Sequence, residues 1–229
     1  GVVSLTMPIL YAGPLPNIPA VSAVYRTIMQ TEILTDDASA IAIQIANGSQ
    51  TLSQYETQLL SSPAAMASVL PALAVIDLFY GVTPSSDVLA AVASTVRNWG
   101  QIGMSPADQW SVLGMQFAHN GTFGTLYGGL DNYTFAGKIY QTVFGYAPTS
   151  DIQTALANNV TALSLAYRGY DPVHSDILGG KGALYAALLY YAENAKIGYI
   201  YSGANNFLLT QASQAASSGV ATGYTQGDE

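Results

Sequence analysis

Apolar residues return along this chain at intervals of three and four, as in Leu52, Tyr55 and Leu59 or Val75, Leu78 and Phe79, the spacing that lines one face of an α-helix. Period-two alternation is confined to short pieces such as residues 41–45. Helix-start signals punctuate the runs. Ser62-Pro63, Ser105-Pro106 and Asp171-Pro172 each set an N-cap acceptor before a proline suited to the first helical position, and Ser53 with Glu56 has the spacing of a capping box ahead of Leu59 and Leu60. The pattern predicts an all-α body.

A repeat lies within it. FYGVTPSSDVLAAV at 79–92 lines up with VFGYAPTSDIQTAL at 143–156, matching Gly81 with Gly145, Pro84 with Pro148, Ser86 with Ser150, Asp87 with Asp151 and Ala91 with Ala155. The glycine ends one helix, and the Pro, Ser and Asp start the next. A weaker copy begins at Val24, where VYRTIMQ resembles IYQTVFG at Ile139 and Thr35-Asp36 stands in for Ser150-Asp151. Three helix-turn-helix units follow, each with an apolar face that only a neighbour can bury, so the expected architecture is a stack of repeats forming a spiral or superhelical domain.

Two stretches break the pattern. Between 98 and 137, glycines interleave with Trp99, Trp110, Phe117, Phe123, Tyr127, Tyr133 and Phe135, predicting a loop-rich, exposed Gly/aromatic insertion. The second break is 168–182, where Gly179-Gly180-Lys181-Gly182 lacks the spacing of a phosphate loop and is read as opening a helix near Ala183. The expected organisation is a Pro-rich segment at 1–20, a helical repeat domain at 21–212, and a small, polar linker at 213–229.

Of the two longest apolar stretches, 63–82 contains Pro71 and Asp77 and 184–201 contains Glu193 and Lys196, so both are read as core helices, not membrane spans. The second also carries Tyr185, Tyr190, Tyr191, Tyr199 and Tyr201, spread around one helix. The prolines at 8, 14, 16 and 19 and the lack of a basic start argue against a signal peptide within the given sequence.

Composition sharpens this picture. Only 9% of the 229 residues are charged, 50% are hydrophobic, cysteine is absent, and 14 Asp+Glu against 6 Lys+Arg leave a net charge of -8. Disulfides and thiolate metal sites are excluded, and the negative balance opposes nucleic-acid binding. Low charge, no cysteine and sixteen tyrosines suit an exported protein, whose secretion signal would then lie outside the given sequence.

Catalytic motifs are missing. There is no GxSxG, Walker A, GxGxxG or HExxH, and the two histidines, His119 and His174, have no nucleophile beside them in sequence. Asp36-Asp37, Asp171 and Asp176 offer oxygen ligands without a calcium-loop spacing, and Asp36 is read as an N-cap acid. Sequons at Asn47, Asn120, Asn132 and Asn159 are within chance for this composition. The best binding hypothesis is a sugar site, because aromatic faces plus planar polar groups bind carbohydrate without net charge. Trp99, Trp110, Tyr127, Asp131, Asn132, Tyr133, Arg168, Tyr170 and His174 supply those types. Removing Trp99 and Trp110 is then expected to abolish sugar retention without unfolding the domain.

Several segments carry a resemblance. YRTIMQTEILTDD, then QIANGSQTLSQYETQLLSSPAAM at 44–66, IDLFYGVTPSSDVL, GTLYGGLDNYTFAGKIYQTVFG and KGALYAALLYYAENAKIGYIYSGANNFL together resemble the N-terminal domain of Caulobacter-type surface-layer proteins, over about residues 21–213. The resemblance implies a spiral α-helical domain that anchors a two-dimensional protein lattice to the O-antigen polysaccharide of lipopolysaccharide on a Gram-negative outer membrane. It also implies calcium for the full-length lattice, bound in repeats downstream, and copies of the same chain as partners. No family binding residue carries over by position. Two rivals stand beside it: a structural self-assembly or adhesin module without sugar binding, and a glycan hydrolase using Asp131 with a second carboxylate.

Overall fold

The computed structural model describes residues 13–197, 199–219, 221, 227 and 228. The chain is mostly helical: α1 (Ile18–Met29), α2 (Thr35–Ala46), α3 (Leu52–Leu60), α4 (Pro63–Met66), α5 (Val69–Tyr80), α6 (Ser86–Gln101), α7 (Pro106–Phe117), α8 (Phe123–Tyr127), α9 (Asn132–Phe144), α10 (Ser150–Ala166), α11 (Ile177–Ala195) and α12 (Tyr199–Ser218). One short antiparallel pair, β1 (Val82–Thr83) with β2 (Gly227–Asp228), sets Val82 opposite Asp228. Most of the Pro-rich start lies outside the described residues.

The helix boundaries follow local chemistry. Gly81 and Gly145 end α5 and α9 in the left-handed conformation, at φ 67° and 84°, each returning its N–H to a carbonyl in the last turn. Five residues later α6 and α10 open, capped by Ser85 and Thr149 one position ahead of the matched serines. In the weaker copy Gln30 takes the left-handed position and α2 opens five residues on at Thr35. No side chain caps that helix; Asp36 and Asp37 lie in its first turn, where carboxylates oppose the positive end of the helix dipole. Ser62 and Ser105 cap α4 and α7 as expected. The capping box is formed by Thr51 and Gln54 instead of Ser53 and Glu56, and Asp176, not Asp171, caps α11.

Packing centres on α5 and α11. α5 is apolar but for the buried Asp77 and is covered by α6, α7, α11 and α12, so the 63–82 run contains the short α4, of which Ala65 is buried, and the buried α5, broken at Ala67 and Ser68. α11 lies against α7, α10 and α9, and α1 lies against α12, α2 and α3.

The expectation of an exposed loop at 98–137 is corrected: most of it is α7, α8 and α9, and Trp110, Phe123 and Phe135 are core residues. Its glycines serve close packing as much as turns. A Cβ on Gly114 would fall 2.6 Å from that of Ala186, and one on Gly182 would fall 2.6 Å from that of Ala118, each closer still to the facing glycine's carbonyl. The 179–182 run is therefore inside α11. Gly180 faces Val160 and Ser164 of α10, Gly182 faces α7, and the roughly 1 kcal/mol helix cost of each glycine is offset by the contact its missing Cβ permits. The 184–201 run is also two helices, because Lys196 turns left-handed at φ 56°. α12 continues six residues past the expected boundary at 212, with Ala215 buried.

One buried charge-bearing group affects stability. Glu193 on α11 is 3% exposed, neither carboxyl oxygen has a hydrogen-bond partner, and burial pushes its pKa from 4.5 up to about 8. The folded state thus holds a proton that the unfolded chain releases, so this contribution is full below pH 4.5 and is lost as pH rises to about 8. The urea midpoint is expected to fall between pH 5 and 8.5, and Glu193→Gln is expected to flatten that slope. Equal slopes in both proteins would show that Glu193 does not titrate in this window.

Candidate functional site

The connection from α10 to α11 gathers polar and aromatic side chains at the surface. Tyr167, at the end of α10, anchors it: the ring is buried, its hydroxyl donates to Asp108 Oδ1 at 2.9 Å, and burial pushes the phenol up to about 12. From that anchor the chain turns outward, leaving Arg168 exposed and Tyr170 49% exposed, with the Tyr170 ring centroid 6.3 Å from that of Tyr167.

Asp171 closes the turn. Its carboxylate accepts from the His174 backbone N–H at 3.2 Å and meets His174 Nδ1 at 2.8 Å. Burial pushes the Asp171 carboxyl up, but hydrogen bonds from His174 and Gln116 outweigh that and hold it below its usual range. This turn presses Val173 outward to 80% exposure and leaves Nε2 as the His174 nitrogen free for another group. Ser164 then donates to the Ser175 carbonyl at 2.5 Å, fixing the strap to α10.

A second acid–histidine pair adjoins the first. Asp176 accepts from the Gly179 N–H at 2.8 Å as the cap of α11 and also meets His119 Nε2 at 2.9 Å, while the His119 and His174 rings lie 4.9 Å apart. The chain's two histidines, 55 residues apart, thus share one site. The cluster offers fixed acceptors, imidazole nitrogens, a guanidinium and an exposed ring, a donor and acceptor set suited to hydroxyl-rich ligands. Asp171 and Asp176 each face a histidine, and among the described residues no group of three or more His, Asp or Glu is arranged to hold a metal ion.

The remaining candidates sit apart from this loop. Asp131 caps α9, accepting from Thr134 N at 2.7 Å and Oγ1 at 3.0 Å; those hydrogen bonds hold its carboxyl low. Asn132 is the first residue of α9, and Tyr133 is 45% exposed. Beneath them Lys181 is buried, donates to the carbonyls of Tyr127 at 2.9 Å and Leu130 at 2.6 Å, and lies 5.6 Å from the Phe135 ring centroid. Burial lowers its pKa, with the nearby Asp131 charge opposing. Lys181 is thus a clamp on the α8–α9 corner. Asp176 and Lys181, which tie the two groups to α11, are about 7.5 Å apart along its axis.

One aromatic assignment is overturned, and two others fall on half-buried rings. Trp110 is fully buried, its indole N–H donating to the Met66 carbonyl at 3.4 Å and its ring 5.5 Å from that of Tyr190, so it offers no face to a ligand. Tyr127 is half-buried among Phe123, Phe135 and Tyr185. Trp99 is half-buried against a core cluster containing Met104, Val112 and Met115. Sequence reasoning also missed a surface group, Tyr140, Phe144, Tyr146 and Tyr191, in which Tyr146 and Tyr191 are both 61% exposed. Its linear signals were Tyr146 in the FGYAP turn and Tyr191 among the tyrosines spread around one helix.

Neither a protein-family model nor a curated protein matches this chain.

Proposed function

We propose that this chain is a non-enzymatic anchoring domain of a surface-layer protein, exported to the surface of a Gram-negative cell, where it binds the O-antigen polysaccharide of lipopolysaccharide and supports a two-dimensional lattice. The observation that carries this reading is the α10–α11 connection, where the exposed Arg168 and Tyr170 and the half-buried His174 share one strap, with the buried Asp171 beneath them orienting the imidazole. A sugar ring can lie on the Tyr170 face while its hydroxyls meet the imidazole and guanidinium. Each contact is weak, and a lattice multiplies them through multivalency. The low charge of the chain suits a neutral polymer. Calcium belongs to this reading as a requirement of the full-length lattice.

The finer architecture belongs to the same proposal. Three helices ending in left-handed residues at 30, 81 and 145, each followed five residues later by a new helix, support three related units stacked as a superhelix.

The test is co-sedimentation of the purified chain with lipopolysaccharide carrying or lacking O-antigen, with and without calcium. Retention by the O-antigen form alone is expected, and Tyr170→Ala is expected to reduce it about tenfold, the loss of one stacking contact of about 1.4 kcal/mol. Equal retention of both forms, or an unchanged Tyr170→Ala, would remove the sugar site from this strap. A second reading, self-assembly through protein contacts without sugar, is favoured by the exposed Tyr146 and Tyr191, which pack on the half-buried Tyr140 and Phe144. It predicts sedimentation of the chain by itself.

A further inference from the structure

Gly145 ends α9 in the left-handed conformation and turns the chain back, so that Tyr146 comes to lie beside Tyr140 of the same helix. The two phenol oxygens are 3.4 Å apart, and the ring centroids are 5.7 Å apart with an interplanar angle of 81°. Tyr140 is half-buried and held against Phe144, their centroids 4.6 Å apart, whereas Tyr146 is exposed. Packing does not require phenols here. At the offset that matches Gly81 with Gly145, the first repeat unit has Ile76 and Val82 in these two places. Other close tyrosine pairs are placed differently: Tyr167, next to Tyr170, is buried with its hydroxyl donating to Asp108, and Tyr127 faces the core residue Tyr185.

We propose that Tyr140 and Tyr146 form an oxidative modification site, joined to each other as dityrosine by hydrogen peroxide and a haem peroxidase that oxidises phenols one electron at a time. Tyr146 is the ring the oxidant reaches, and it gives up one electron and one proton. The hydroxyl contact lets the Tyr146 radical take the phenolic hydrogen atom of Tyr140, after which Tyr146 is oxidised a second time. The two phenoxyl radicals then form a bond between ring carbons ortho to their oxygens, and the hydrogen on each joined carbon moves to the oxygen of its own ring, restoring both phenols. One peroxide takes up the two electrons and two protons and leaves as two waters, so the chain loses two hydrogen atoms. Because the rings already touch, coupling within the pair outruns encounter between chains. A chain without cysteine has no disulfide with which to fix a helix end, and this bond closes the Gly145 turn covalently. The site is separate from the α10–α11 strap and does not depend on sugar binding there.

The experiment treats the whole chain, at low micromolar concentration, with a plant haem peroxidase and hydrogen peroxide, and then isolates the monomer. Dityrosine fluorescence is expected in that monomer. Its tryptic fragment 139–168 is expected to be lighter by two hydrogens, with no backbone fragments between 140 and 146 in the mass spectrum. Tyr140→Phe and Tyr146→Phe, their folds checked by circular dichroism, are each expected to lower the yield in the monomer about tenfold or more. Tyr170→Phe and Tyr191→Phe are expected to keep it. A monomer without dityrosine, cross-links found only between chains, or an unchanged yield in Tyr146→Phe would each overturn the proposal.

Discussion

Trp110→Ala is expected to destabilise the protein by about 3–5 kcal/mol, lowering its melting temperature by roughly 10 °C or more in a chain of this size. The indole is fully enclosed, its N–H reaches the Met66 carbonyl on α4, and its edge packs on Tyr190 of α11. Truncation removes the largest side chain of the core, leaves a cavity between α5, α7 and α11, and strands a carbonyl acceptor. Scanning calorimetry reads this directly. The outcome reverses the sequence-based expectation that Trp110 can be removed without unfolding the domain, and a melting point within about 2 °C of the wild type would place the indole on the surface after all.

The second large effect is expected at the α7–α11 crossing. Gly182→Val would drive branched carbons into the Gly114 carbonyl and toward Ala118, and neither helix can yield without lifting off α5 or α10. Overpacking a contact between two backbones costs about 3 kcal/mol or more, since no rotamer relieves it. The matched control is Gly129→Ala in the α8–α9 turn, where an added Cβ meets nothing within 4 Å and stability should hold within about 0.5 kcal/mol. Equal urea midpoints for the two variants would show that the crossing is looser than its geometry.

How far the site was legible from sequence differs residue by residue. Arg168, Tyr170 and His174 fall within ten residues, so proximity alone grouped them, and the structure keeps them on one strap. His119 and Asp176 carried no such signal. Their meeting depends on α7 and α11 crossing at Gly114 and Gly182, a long-range contact that no local spacing encodes. Glu193 did interrupt an apolar run, but sequence could not say whether its carboxyl faces water, a partner or a cavity. The Gly/aromatic stretch misled for a related reason. Glycine and aromatic residues in alternation describe a loop, and they equally describe two helices packed closely enough to exclude a Cβ with large rings filling the adjoining space.

What the sequence alone determined is what depends on neighbours a few positions away. Helical periodicity, the left-handed glycines at 81 and 145 and the serine caps at 62 and 105 are set by hydrogen bonds and sterics within about one turn. Only the tertiary structure decided which side of each helix is covered. Burial depends on which helices cross and how closely, and that turned Trp110 from a binding platform into a core residue, Lys181 into a clamp, and Glu193 into a buried, unpaired carboxyl.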